Sequence, residues 1–173
     1  MDKVSLRKIL KEKRHSLNME KLSKILRAKL VQTDEYERAK HIMIYYPLPE
    51  EVNLLPLIED TSKSFYLPRI KGKELECCSY SSGEMLSSSC FQTKEPVCEA
   101  CDKSCVDTVI VPALACDKEQ YRLGYGGGYY DRFLKDFSGF KIVCLPSQFV
   151  LENIYKQPHD IRMDKIITEL SFA

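Results

Sequence analysis

Short, unbroken apolar segments alternate with helical patterns along this chain, and that alternation restricts the fold more than any other feature of the sequence. Leucine and isoleucine recur at helical spacing in residues 6–17 and 22–30, which predicts two amphipathic helices, the second capped by Asn18. Apolar runs follow at residues 41–46, 65–67, 109–111, 140–145 and 166–167. Strands without a polar face are buried on both sides, as in a parallel sheet covered by helices. We therefore predict an α/β fold: a single domain with a mostly parallel sheet flanked by helices on both faces.

Composition and charge agree with a single domain spanning residues 1–173. The 173 residues are 44% hydrophobic and 29% charged, which is ordinary for a globular protein. A net charge of +1 argues against a nucleic-acid binder, since such proteins usually carry a clear basic excess. No apolar run has the length of a membrane span, and no apolar segment follows the N-terminal charges as in a signal peptide. We expect a cytoplasmic monomer without nucleic-acid or membrane partners.

Residues 79–105 interrupt the alternation and are predicted to form a long excursion from the domain. Long excursions often act as lids or binding loops, and a disordered surface insertion is the equal alternative. The stretch contains Cys98, Cys101 and Cys105, a spacing that invites a zinc or iron–sulfur interpretation, but no histidine lies near them. We favour reduced thiols, because disulfides are rare in proteins that are not exported.

Four of the seven glycines lie in residues 124–128, between Arg122 and Asp131. Glycine lets backbone approach a ligand closely, and a helix predicted over residues 130–137 would add its N-terminus, so the segment favours an anion such as phosphate. No Gly-Lys-Ser/Thr of a P-loop is present, and Tyr129 stands where the dinucleotide fingerprint needs its third glycine. A cation for phosphate and a carboxylate for a metal indicate a site for a nucleoside triphosphate. The alternative is a flexible surface turn.

Residues 122–134 resemble the signature of the 5-formyltetrahydrofolate cyclo-ligase family, also called 5,10-methenyltetrahydrofolate synthetases. Other pieces of the chain resemble the family in the same order: Lys3-x-x-Leu6-Arg7, residues 45–51, Leu67-Pro68-Arg69, residues 111–114, Gln148, His159-Asp160 and Thr168-Glu169. Residues 74–106 show no such likeness. The resemblance thus runs from residue 3 to residue 169 and is most specific in the glycine segment.

The resemblance implies a role for particular residues of this chain. ATP binding is implied for the following residues: Lys3, Arg7, Arg122, Gly124, Gly126, Gly127, Gly128, Tyr129 and Tyr130. Contacts with the folate substrate are implied for Tyr46, Glu51, Tyr125 and Tyr129. A catalytic role is implied for Arg122 and Tyr129, and Mg²⁺ would be held by Asp131 and Asp160.

Three charged residues near these positions receive a plainer interpretation. Lys11 and Arg14 continue the basic stripe of the first helix without matching the family, so we interpret them as surface charge. His159 is interpreted as a residue that structures the loop beside Asp160.

The resemblance implies an ATP- and Mg²⁺-dependent enzyme that converts 5-formyltetrahydrofolate to 5,10-methenyltetrahydrofolate through a phosphorylated formyl intermediate, releasing ADP and phosphate. Two alternatives belong to other classes: a nucleotide-binding regulator of the same fold without folate chemistry, and a cysteine-cluster metal-binding protein. The chain departs from the family at Gln120, where many members carry glycine, and at Tyr155, where proline is common. The first departure puts the shape of the turn that enters the glycine segment in question.

Overall fold

The computed structural model describes residues 1–171, and the chain begins with three helices. These are α1 (Lys3–Arg14), α2 (Met19–Val31) and α3 (Asp34–Arg38). Each begins with a side-chain cap, in which an oxygen of Asp2, Asn18 or Thr33 accepts a hydrogen bond from a backbone amide of the first turn. The cap predicted at Asn18 is confirmed.

The strands follow, interrupted by one further helix. The strands are β1 (His41–Met43), β2 (Ser64–Lys71), β3 (Glu74–Tyr80), β4 (Leu86–Ser88), β5 (Lys94–Pro96), β6 (Thr108–Ile110), β7 (Ala115–Asp117), β8 (Arg122–Leu123), β9 (Phe140–Cys144), β10 (Val150–Leu151) and β11 (Lys165–Ile167). Helix α4 (Tyr129–Leu134) lies between β8 and β9. Short 3₁₀ turns lie at Leu55–Glu59, Lys103–Cys105 and Ser147–Phe149.

The main sheet has six strands in the order β11-β9-β6-β1-β2-β3. Its neighbouring strands pair in parallel, except that β3 runs antiparallel to β2. A second sheet, β10-β7-β8, leads into the glycine segment, and β4 with β5 forms a hairpin. Along the described residues, no helix combines the length and the apolar character that a membrane crossing requires.

The central strands bury both of their faces. Ile42 and Ile44 belong to a core shared with Leu26 and Leu30 of α2, whereas Met43 between them faces a second core. That second core contains residues of α1 and α4, such as Leu6, Leu10 and Phe133. The predicted mostly parallel sheet with helices on both faces is confirmed.

Three details of the predicted elements are wrong. The helix after the glycine segment is Tyr129–Leu134 instead of residues 130–137, because the chain turns where the Phe137 amide donates to the Leu134 carbonyl at 3.1 Å. The strand predicted over residues 41–46 ends at Met43. Strand β3 was not predicted, since its sequence has no β-branched residue, two glutamates, and a single aromatic residue at its end, Tyr80.

The stretch predicted as an excursion, residues 79–105, contains the β4–β5 hairpin. Its tip closes through the Ser89 amide, which donates to the Thr93 carbonyl at 2.8 Å. Arg69 of β2 donates to the carbonyls of Pro96 and Cys98 at 3.2 and 2.5 Å, and this contact fastens the returning strand to the sheet. The eight cysteines are free thiols, and within residues 1–171 no three of their sulfur atoms approach closely enough to share one metal ion.

Both departures from the family pattern occupy left-handed backbone. Gln120 has φ of 72°, a conformation that glycine adopts without strain, so the turn between β7 and β8 keeps the shape that glycine would give it. Tyr155 has φ of 57°, which a proline ring cannot adopt. This backbone therefore could not accommodate the proline of the family pattern without changing shape.

The interpretation of Arg14 as surface charge is wrong. Four residues after Leu10, the side chain is rotated only about 40° from it around the helix and so shares its buried face. Arg14 is 2% exposed and lies over the Phe149 ring at 4.8 Å. Its guanidinium donates to the carbonyls of Ala113 at 2.6 Å, Leu114 at 3.0 Å and Glu50 at 3.1 Å. Arg14 thereby joins α1 to the chain segments that leave β1 and β6.

We predict that Arg14→Ala lowers the free energy of unfolding by about 3 kcal/mol, because three backbone carbonyls lose their donor in a buried place. Chemical denaturation measures this difference. Lys13→Ala, which removes an exposed neighbouring charge, is the matched control and should stay within about 0.5 kcal/mol of the unaltered protein. Equal effects of the two changes would mean that the Arg14 hydrogen bonds contribute no net stability.

Candidate active site

An open cleft of about 930 Å³ lies beyond the carboxyl ends of the parallel strands. In α/β sheets this edge is where ligands usually bind, because the loops that leave the strands meet there. The cleft is lined by every residue for which the resemblance implies a role in binding or catalysis. These residues are separated by up to 157 positions in the chain. The structure thus brings the predicted residues together, and their individual roles remain predictions.

The glycine segment forms one wall of the cleft and is bent by two residues in the left-handed region. Gly126 has φ of 110° and Gly128 has φ of 71°. A side chain at Gly124 would place its Cβ 2.6 Å from a guanidinium nitrogen of Arg122, and one at Gly127 would meet the Tyr129 ring at 2.7 Å. The segment therefore needs glycine both for its backbone shape and for its close contacts.

Helix α1 supplies cations to the same wall. The Arg7 Nε donates to the carbonyl of Gly124 at 2.8 Å, which fastens the helix to the glycine segment. Lys11, interpreted from the sequence as surface charge, also lines the cleft and lies 5.3 Å from the centre of the Tyr125 ring. Helix α4 has only six residues, so its dipole is small, and these side chains must provide most of the positive field.

Arg122 is the most deeply buried cation of the glycine segment, with 6% of its surface exposed. Its guanidinium donates to the Pro112 carbonyl at 2.9 Å, contacts the Asp131 carboxylate at 3.3 Å and lies over the Tyr130 ring at 5.5 Å. The Nε of Arg122 is buried without a hydrogen-bond partner among the described residues. These contacts fix the orientation of the guanidinium at the edge of the cleft.

Three potential metal ligands meet beside the glycine segment. Ligand atoms of Asp131, His159 and Asp160 all lie within 4.8 Å of one another. Asp160 also accepts hydrogen bonds from Lys3 Nζ at 2.5 Å and from the Gln157 amide at 2.7 Å. Two carboxylates suit Mg²⁺, which prefers oxygen ligands and completes its shell with phosphate and water. The donor set therefore fits the ion that the resemblance implies, with the His159 ring 3.7 Å from Asp160 as a further candidate ligand.

Glu51 and Tyr125 lie close together in the lining of the cleft. The Glu51 carboxylate is buried and accepts a hydrogen bond from the Leu48 amide at 2.7 Å. Burial raises the pKa of Glu51, because the charged form loses its hydration. Burial also raises the pKa of Tyr125, and the nearby Glu51 charge adds to that shift. The Tyr125 hydroxyl is buried close to the Glu51 carboxylate, so the two groups are close enough to contact one ligand together.

The hairpin contributes residues that sequence reasoning missed. Phe91, at its tip, is 51% exposed and meets the Tyr129 ring edge-on at a centroid distance of 6.0 Å. Lys94 and Glu95 line the cleft beside it. The guanidinium of Arg132 lies 5.0 Å from the centre of the same Tyr129 ring. No local pattern could have assigned these hairpin residues to the cleft, although an aromatic residue in a polar loop was a signal that a contact surface exists.

A parallel sheet with a glycine-rich loop, converging cations and paired carboxylates at its carboxyl edge defines an α/β enzyme with a charged ligand cleft. The family is shown by comparison with known sequences: the model of the 5-formyltetrahydrofolate cyclo-ligase family matches residues 1–169, and the chain belongs to that family. The predictions of this family and of a ligase are confirmed.

Individual relatives agree with the assignment over nearly the whole chain. A 5-formyltetrahydrofolate cyclo-ligase of Mus musculus is 25% identical over 193 aligned positions, covering 99% of this chain and 95% of the relative. The protein of the same name from Mycoplasma pneumoniae is 27% identical and covers 98% of this chain and 99% of its own length. The NMR structure of Aquifex aeolicus 5,10-methenyltetrahydrofolate synthetase superposes with a TM-score of 0.88 at 35% identity, covering 99% of this chain and 91% of that chain.

The burial of Glu51 predicts a pH-dependent effect on stability. Because its pKa is higher in the folded protein than its usual value of 4.5, the folded state binds the proton more tightly, and ionisation destabilises the fold as pH rises. Glu51→Gln should therefore raise the melting temperature at about pH 8, and the gain should shrink toward zero as pH falls below the usual value.

Thermal unfolding across this pH range measures the effect. Glu12→Gln, which alters an exposed carboxylate of α1, is the matched control and should change the melting temperature little at any pH. A Glu51→Gln protein with a lower melting temperature at high pH would contradict the stated cost of burying this charge.

Proposed function

We propose that the chain catalyses the ATP-dependent conversion of 5-formyltetrahydrofolate to 5,10-methenyltetrahydrofolate, with ADP and phosphate as the other products. The observation that supports this most is a single cleft lined both by cations and glycine backbone and by Glu51 and tyrosine rings. The cations and glycine backbone suit a triphosphate, and Glu51 with the tyrosine rings suits a flat, polar-edged ring system such as a pterin. A family of cyclo-ligases provides the reaction that joins the two substrates.

In the proposed reaction the formyl oxygen of the substrate attacks the γ-phosphorus of ATP and ADP leaves. The oxygen becomes part of a phosphate ester, which is a far better leaving group than the oxygen of a formamide. The N10 nitrogen then attacks the formyl carbon and loses its proton. The bond between that carbon and the phosphorylated oxygen breaks, and phosphate leaves with the oxygen. Ring closure gives the methenyl product.

The protein's tasks in this scheme are positioning and charge neutralisation. We assign the phosphates to the amides of the glycine segment and to Lys3, Arg7 and Arg122. Tyr129, which follows the glycine segment and lines the same cleft, would orient the reacting groups. Asp131 and Asp160 would hold Mg²⁺, which when bound supplies positive charge to the phosphates.

We assign the folate substrate to Glu51 and the tyrosines that line the cleft. Glu51 and Tyr125 offer a carboxylate and a hydroxyl to the polar edge of the pterin. Tyr46 and Tyr129 offer rings for contact with its faces.

The first prediction from this proposal concerns turnover. Purified protein given 5-formyltetrahydrofolate and Mg-ATP should produce the absorbance of the methenyl product, and omission of ATP should abolish it. Asp131→Asn should reduce the rate about tenfold or more, because the carboxylate charge needed by the metal is lost. Asp136→Asn, an exposed aspartate two residues beyond α4, is the matched control and should retain the rate.

The outcome of the same assay separates the alternatives. ATP binding without product would favour a nucleotide-binding regulator of the same fold. Full activity of Asp131→Asn at limiting Mg²⁺ would remove Asp131 from the proposed metal site.

The second prediction concerns the glycine segment. Gly126→Val places a branched side chain at φ of 110° and within 3.4 Å of the Arg7 guanidinium, so it should distort the backbone that is proposed to meet phosphate. Titration calorimetry should find ATP affinity lowered about tenfold or more, equal to about 1.4 kcal/mol or more, with 5-formyltetrahydrofolate binding retained.

Gly72→Val provides a strain-matched control. Gly72 has φ of 62° with no atom within 4 Å of an added Cβ, and it lies in the β2–β3 turn, outside the cleft. Its replacement should lower stability without changing ATP affinity. Unchanged ATP affinity in Gly126→Val would move the phosphate site away from this segment.

A further inference from the structure

The two carboxylates proposed to hold the metal are each paired with a cation proposed to hold phosphate. Lys3 Nζ lies 2.5 Å from the Asp160 carboxylate, and Arg122 lies 3.3 Å from the Asp131 carboxylate. These four charges are therefore already paired with one another before any ligand enters. Each of the four groups must gain a new partner when a metal and a triphosphate bind.

The Lys3–Asp160 pair is shielded from water. The two side chains are 12% and 4% exposed, so bulk solvent and salt screen their attraction much less than at an open surface. Two unit charges about 4 Å apart interact by about 4 kcal/mol at the effective dielectric constant near a protein surface, and the energy doubles for a divalent ion. A divalent cation at Asp160 would thus be strongly repelled by the ammonium of Lys3.

The two cations differ in their freedom to move. Arg122 is held by the Pro112 carbonyl and by the Tyr130 ring, in addition to Asp131. Lys3 stands in the first turn of α1. The only hydrogen bond of its side chain within residues 1–171 goes to Asp160. A long, flexible side chain with one partner can turn to another at little cost, so Lys3 is the group able to exchange.

We propose that Lys3 is a counter-ion that must leave Asp160 before a divalent cation enters, and that the triphosphate is its new partner. The metal and the nucleotide consequently bind as a pair, each raising the affinity of the other by the same factor. This inference rests on the proposed assignment of Asp131 and Asp160 as metal ligands. It makes Lys3 a positioning residue with opposite effects on metal binding before and after the nucleotide arrives.

The test measures binding of Mn²⁺, whose free form is detected by electron paramagnetic resonance. Lys3→Gln removes the ammonium and should tighten the binding of Mn²⁺ alone about tenfold, a coupling within the usual range for linked sites. The same change should weaken binding of the Mn²⁺ complex of a non-hydrolysable ATP analogue, because a phosphate partner is lost. Lys3→Arg keeps the charge and should resemble the unaltered protein in both measurements.

Lys11→Gln controls for the general field of the cleft. Lys11 is another cation of α1 that lines the cleft, but it contacts the Tyr125 ring rather than a carboxylate. Its loss should change the affinity for Mn²⁺ alone by less than about twofold, as expected for a charge without a direct partner. An equal gain from Lys11→Gln, or no gain from Lys3→Gln, would overturn the proposed exchange.

Asp131→Asn separates this inference from the assignment on which it rests. The variant should weaken binding of the Mn²⁺–analogue complex. If it does not, the proposed metal site itself is wrong. If it does, and Lys3→Gln still leaves the affinity for Mn²⁺ alone unchanged, only the role of Lys3 fails.

Discussion

The burial of both faces of the central strands is the constraint on which the rest of the structure depends. Strands β1, β6 and β9 alternate their side chains between two apolar cores, so neither face of the sheet can hold charged groups at low energy. Polar chemistry is confined to the ends of the strands. The loops that leave those ends carry Glu51, Pro112 and the segments that meet the glycine wall, and this is why the cleft lies there.

A cleft that collects so many charges must balance them before a ligand arrives. Lys3 and Arg122 pair with carboxylates, and Arg7 is held by the Gly124 carbonyl. Outside the cleft, Arg14 is held by three carbonyls. Such contacts keep each cation hydrogen-bonded at little cost. They also leave the electrostatic attraction of the cations available to an incoming phosphate, because a carbonyl carries no net charge to neutralise them.

Helix α1 connects the cleft to the sheet. Lys3 and Arg7 reach the proposed phosphate site, while Arg14, two to three turns later, is fastened to the segments that follow β1 and β6. The hairpin adds Phe91 against Tyr129 on the opposite side. The cleft is therefore bounded by one rigid helix and by one hairpin that is joined to the sheet through Arg69.

Much of the candidate site was predictable because its information is local. The glycine segment, with Arg122 before it and Asp131 after it, carries its chemistry within a few residues, and apolar runs between helices are enough to indicate a buried parallel sheet. The resemblance to a family extended this to Lys3, Glu51 and Asp160. What local patterns did not supply were the exact boundaries of β1 and α4.

The sequence by itself thus determined the fold class and the residue types available for chemistry, since periodicity and glycine content act over short distances. Only the tertiary structure decided which charges meet. Arg14 looks like one more basic residue of an exposed stripe, yet it is buried because the helix turns it toward Phe149 and the Ala113 carbonyl. Lys3 and Asp160 stand 157 positions apart and form an ion pair because the sheet brings both ends of the chain to one edge. Long-range contacts of this kind depend on the complete packing of the chain, and no local pattern encodes them.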